Sequence, residues 1–224
     1  MQSPVPAEIR AALRAHADPE RAPLMQAYMK SALPFLGVSV PDVRRLTRAI
    51  AAQHPFAERA DLERTVRDLW ASAAYREERY AATALLDTRS ARALRSPDLL
   101  ALHRELIVSG AWWDHVDELA HRVGELRSGW PQRVTPELVS WIRADDLWLR
   151  RASIICQLGA KAGTDLDLLV EAVAANAADR EFFIRKAIGW ALRDYARTDP
   201  DWVRRFVAEH DLSPLSRREA LKHL

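Results

Sequence analysis

Cysteine is all but missing from this chain: Cys156 stands alone, in the apolar stretch SIICQLG. One thiol can form neither an internal disulfide nor a thiolate metal cluster, so Cys156 reads as a small core residue and a reducing compartment suits it. Glycine is scarce too, at 7 of 224 residues, and no Gly-rich phosphate loop occurs. No apolar run approaches the roughly 20 residues needed to cross a bilayer, and the opening residues MQSPVPAEIRAALRAHA lack the apolar core of a secretory signal. A cytoplasmic protein without membrane contact is expected. The 7 histidines include no HExxH, and His115 and His121 are six apart, so neither a metal nor a cofactor is expected. Nor is there a large excess of charge. A net +2 gives no general affinity for polyanions, so the placement of the cations has to decide that question.

What is present favours helices. Ala, Leu, Arg and Glu abound, the apolar fraction is 49% and the charged fraction 29%, the mixture of a folded globular chain. Apolar residues recur three and four apart almost throughout, and alternating strand-like runs are missing. Helix starts are marked at Pro6, Pro41, Pro97, Pro136, Thr164 and Pro200. A weak repeat is set by EERYAATALLD, WWDHVDELAHRV, WLRRASIICQL and FIRKAIGWALRDY, which begin at Glu77, Trp112, Trp148 and Phe183. A period of 35 to 36 residues is one helix pair, which predicts an all-α superhelix of HEAT or armadillo type over 1–224, a single domain with a concave face. An irregular helical bundle is the other arrangement open to such a pattern.

Three of these helices break the rule that apolar side chains face inward. In FFIRKAIGWALRDYART the stripe Ile184, Ala187, Ile188, Ala191, Tyr195 faces the core, whereas Lys186, Trp190, Arg193 and Arg197 share the opposite side. A tryptophan alone there more often packs on a neighbouring repeat. Set among cations, it is the arrangement that meets nucleic acid, the cations on phosphates and the ring on a base or sugar. In AWWDHVDELA, Trp113 and Asp117 lie one turn apart on the flank of the stripe; a solvated acid beside a structural indole explains them equally well. In DLWLRRASIICQLG, Arg151 occupies the centre of an apolar stripe and needs an acid or an anionic ligand, with Asp117 one repeat earlier as candidate partner. A structural salt bridge between repeats is the commoner meaning of such a pair. If the two meet, the guanidinium would hold the carboxylate ionised and lower its pKa. Arg150 lies to the side, facing solvent or a phosphate.

The blocks QAYMK with PFLG, AWWDHVDELA, DLWLRRASIICQL, FFIRKAIGWALRDYART and LSPLSRREALKHL, in this order, resemble the DNA alkylation repair glycosylases of the AlkD type, built from HEAT-like repeats. The resemblance runs from about residue 20 to the C-terminus. It implies a monomeric glycosylase that removes cationic N3- and N7-alkylpurines from duplex DNA, without flipping the base into a pocket. It places the catalytic carboxylate on Asp117, the two sugar-contacting tryptophans on Trp113 and Trp190, and the active-site arginine on Arg151. Tyr28 matches a tyrosine near the lesion, Arg193 a cation on the DNA backbone, and Lys186, Arg150 and Lys161 are further candidates for phosphate.

The chemistry suits these residue types. A purine already positively charged leaves without a strong general acid, so no catalytic histidine is required. Positive charge then grows on the sugar, where a carboxylate and the electron-rich faces of two indoles stabilise it. Two other functions fit the same residues: a HEAT-like protein that binds distorted or branched DNA without cutting a glycosidic bond, and a HEAT-type protein scaffold using Trp113 and Trp190 as anchors.

Overall fold

The computed structural model describes residues 3–224. Among them the regular structure is helical throughout, with no strand, as the periodicity predicts. Packing divides the chain into two compact units, one ending at Arg95 and the other running from Ser96 to Leu224.

The first unit holds α1 (Val5–Ala15), α2 (Ala22–Met29), α3 (Val40–Gln53), α4 (Arg59–Ala71), α5 (Arg76–Leu85) and the short α6 (Arg89–Ala93). α3 and α4 pack on α5, and α1 lies against α3 and α5. Polar groups buried in α5 do much of the fixing. The Glu77 carboxylate, wholly buried, accepts from the backbone N–H groups of Leu36, Gly37 and Val38 at 2.9 to 3.2 Å and so anchors the loop before α3. Burial pushes its pKa up, against those hydrogen bonds. In that loop Gly37 has φ 87°, and a Cβ there would stand 2.1 Å from the Asp18 carbonyl oxygen, so only glycine fits.

The second unit contains α7 (Leu100–Gly110), α8 (Trp113–Gly129), α9 (Pro131–Ile142), α10 (Leu147–Ile155), α11 (Leu166–Asn176), α12 (Phe182–Tyr195), α13 (Pro200–Glu209) and α14 (Pro214–Ala220). The first repeated block is α5 of the other unit and the remaining three are α8, α10 and α12; α10 packs against both α8 and α12, and α14 closes on α12. Two expected helix starts move. Pro136 lies inside α9, which begins at Pro131: its buried stripe of Val134, Leu138, Trp141 and Ile142 runs past Pro136 on both sides, and burying Val134 outweighs one missing hydrogen bond. The cap of α11 is Asp165 rather than Thr164, because its carboxylate accepts from the Leu168 N–H at 3.1 Å. Cys156 is core, as expected, and burial raises its pKa to about 12.

The spacing of α8 and α10 is set by one glycine. A Cβ on Gly124 would stand 1.9 Å from the Cys156 carbonyl oxygen. Gly124→Ala is therefore expected to push the two helices apart at a cost of about 1–3 kcal/mol, a fall of about 2–4 °C in Tm per kcal/mol in a chain of this size. Thermal unfolding beside Gly129→Ala, where an added Cβ meets nothing within 4 Å, checks this; equal melting of the two variants would refute it.

Candidate active site

The helices α8, α10 and α12 each contribute to one constellation. Asp117 sits one turn into α8 on the flank of its buried stripe, Val116, Leu119, Ala120, Val123 and Leu126. Arg151, 5% exposed, rises from the buried face of α10. The two meet in a bidentate pair: Arg151 Nε donates to Asp117 Oδ1 at 2.8 Å and Nη2 to Oδ2 at 2.9 Å. Arg151 Nη1 donates to the Phe183 carbonyl on α12 at 2.6 Å. One guanidinium thus ties three successive repeat helices together, and its planar fork suits a task a lysine could not perform.

The electrostatic balance differs from the sequence expectation. Burial of Asp117 is the larger influence and raises its pKa, while the hydrogen bonds and charge of Arg151 pull the other way. The expected lowering by the arginine is outweighed because the carboxylate has left water. Both oxygens nonetheless accept from one guanidinium, a geometry that calls for the carboxylate form.

Trp113 opens α8 one turn before Asp117 and is half-buried. Trp190 is likewise half-buried on α12. Among the described residues neither indole has a ring contact or hydrogen-bond partner. Their neighbours behave differently. Trp112, Trp148 and Phe183 form a cluster with centroids 5.0 to 6.1 Å apart, and the Phe183 ring lies 5.8 Å from the Arg151 guanidinium carbon. Sequence reasoning gave this cluster no role. Its signal was the repeat itself, since these rings stand 36 and 35 residues apart.

The candidate cations are less free than the sequence suggests. Lys186 and Arg193 both pair with Glu219 of α14, at 3.0 and 2.5 Å. Arg150 donates to the carbonyls of Ala144 and Asp145 at 2.7 and 2.9 Å and pairs with Asp179 at 3.2 Å, so it ties down the connection between α9 and α10 instead of facing solvent alone. Lys161 is exposed, with φ 54°, in a short 3-10 turn at 161–163. Tyr28 belongs to the first unit, 76% exposed on α2 beside Leu24, which is 71% exposed. Among the described residues no group of three His, Cys, Asp or Glu could hold a metal ion, and no helix is long and apolar enough to cross a membrane.

The profile of a family described as DNA alkylation repair enzyme matches residues 9–224. The chain belongs to the DNA alkylation repair enzyme family. Membership in this DNA alkylation repair enzyme family gives the chain a role in DNA repair. It is similar to a solved structure described as a predicted DNA alkylation repair enzyme from Enterococcus faecalis, at 30% identity over 93% of this chain and 96% of that one, with a TM-score of 0.84. A second solved structure, smu.31 from Streptococcus mutans UA159, is 18% identical over 83% of this chain and 98% of that one, with a TM-score of 0.61, and shares the fold. No curated protein matches the chain.

Proposed function

We propose that this DNA alkylation repair family member is a DNA glycosylase that hydrolyses the N-glycosidic bond of cationic N3- and N7-alkylpurines in duplex DNA, with residues 1–224 working as one repeat domain and as a monomer. The observation that carries the reading is the bidentate Arg151–Asp117 pair one helix turn from Trp113, a half-buried indole without a hydrogen bond or ring contact among the described residues. A carboxylate held on one edge by a guanidinium keeps its remaining lone pairs for a ligand, and the Asp117 side chain is 19% exposed.

As the bond to the positively charged purine stretches, cationic character builds on deoxyribose. Asp117 stabilises that charge and orients the water that attacks the sugar carbon. The leaving purine takes the bonding electrons and becomes neutral, so no proton need be delivered to it. Trp113 and Trp190 offer their ring faces to the cationic sugar or base. Arg151, with three of its N–H groups engaged and 5% of its surface exposed, acts by steering Asp117 more than by gripping phosphate. Tyr28 is a further DNA contact, and Lys186, Arg193, Arg150 and Lys161 contact the backbone.

Neutral lesions such as uracil or hypoxanthine lack this leaving-group charge and would need an acid catalyst, so they are expected to be poor substrates. Incubation of purified protein with a duplex containing one N7-methylguanine, followed by measurement of released base, tests the activity. A scaffold would neither release base nor shift a plain duplex at moderate salt; a non-catalytic DNA binder would shift the duplex and release nothing.

A further inference from the structure

We propose that Glu219 is a built-in competitor for DNA phosphate, a carboxylate occupying the anion position between Lys186 and Arg193 and holding down affinity for undamaged duplex. This rests on the reading above that the two cations contact the DNA backbone. Lys186 and Arg193 stand seven residues apart on the Trp190 side of α12, so they form a two-turn cationic edge. Glu219 divides its oxygens between them: Oε1 lies 3.0 Å from Lys186 Nζ and Oε2 2.5 Å from Arg193 Nη1. A phosphate bridging the same two groups through two oxygens would make the same pair of contacts.

The carboxylate is held there by backbone packing. A Cβ on Gly189 would lie 2.4 Å from Glu219 Cβ and 2.9 Å from the Ser216 carbonyl oxygen, so the glycine is what lets α14 close on α12. Ser216 is fully buried and its Oγ donates to the Arg185 carbonyl at 3.0 Å, while Ala220 is fully buried on the other side of Glu219. Of the three charged side chains, that of Glu219 is the most covered, at 14% exposed against 37% for Lys186 and 21% for Arg193. Lys186 first, then Arg193, hold its carboxyl below the ordinary range, so it stays charged at neutral pH.

Two cations and one fixed anion leave a single net positive charge along this edge. An incoming phosphate competes with Glu219 for both cations, so every stretch of normal DNA is bound more weakly than the two cations alone would allow. A repair enzyme that must leave bulk DNA to find rare lesions benefits from that weakness.

Glu219→Gln, which keeps shape and one acceptor, is the test, read by fluorescence anisotropy with an undamaged duplex across a salt series. The expected result is binding roughly five- to tenfold tighter, from release of two partly exposed ion pairs, with a salt slope steeper by about 0.9 for each phosphate newly held. Glu219→Ala supplies a second removal of the charge should the glutamine variant melt early. Unchanged or weaker binding in a folded variant overturns the proposal, as does a gain that persists when Lys186 and Arg193 are also replaced by Ala. If Lys186→Ala and Arg193→Ala both bind like wild type, the DNA-contact reading itself fails. If they weaken binding and flatten the salt slope while Glu219→Gln does not tighten it, the competitor alone fails.

Discussion

Asp117→Asn should lower single-turnover excision of N7-methylguanine by about 100- to 1,000-fold, the scale of losing one preorganised charge stabiliser, with little change in duplex affinity. The amide is nearly isosteric, so Trp113 and the helix flank stay in place. What disappears is the negative charge facing the developing sugar cation and the acceptor for the attacking water. Affinity survives because phosphate contacts made by other side chains dominate duplex binding. An asparagine variant that cleaves at the wild-type rate would refute the assignment. The pH profile gives a second reading of the same residue. Burial raises the Asp117 pKa, so in the wild type excision should fall, as pH drops, at a higher pH than an ordinary aspartate would give. The sign for stability is opposite: ionisation of a carboxyl with a raised folded pKa works against the fold, so its contribution is fullest in acid and is lost as pH rises through that value.

Arg151→Ala should cost about 3–5 kcal/mol of stability, because it leaves the Asp117 carboxylate in a covered site without its countercharge. It also releases the Phe183 carbonyl from its 2.6 Å donor. Denaturant unfolding of Arg151→Ala, Asp117→Asn and the double variant measures the coupling. If stranded charge is the main penalty, the double variant is more stable than Arg151→Ala alone. Simple additivity of the two single changes would mean the pair contributes little to the fold. Excision should vanish in Arg151→Ala even where the protein remains folded, since the carboxylate is then neither aimed nor stabilised in its charged form.

Much of this was legible in the sequence for a simple reason: helix periodicity is local, and so is the mismatch between a charged residue and its apolar stripe. Arg151 in the middle of the α10 stripe called for an acid or an anionic ligand, with Asp117 one repeat earlier as the candidate, and the structure pairs the two. The resemblance to known repair enzymes added the assignment of Trp113 and Trp190. What the sequence hid depends on pairing across helices. Nothing local says that Glu219, in a short basic stretch near the C-terminus, reaches across to Lys186 and Arg193. The net upward shift of Asp117 was missed because burial, unlike the sign of a partner, cannot be read from spacing. Pro136 misled because α9 already starts at Pro131 and buries Val134 a half-turn before it, which only the packed structure shows.

Solenoid proteins commonly evolve by gaining or shedding whole units, since each unit touches only its neighbours. The three-ring knot of Trp112, Trp148 and Phe183 works against that freedom here. Each ring comes from a different repeat, and one of the three, Phe183, also supplies the carbonyl that Arg151 holds. Inserting or removing a helix pair between residues 112 and 183 would place the wrong ring at the junction, so relatives that keep the chemistry should vary in length only outside that interval.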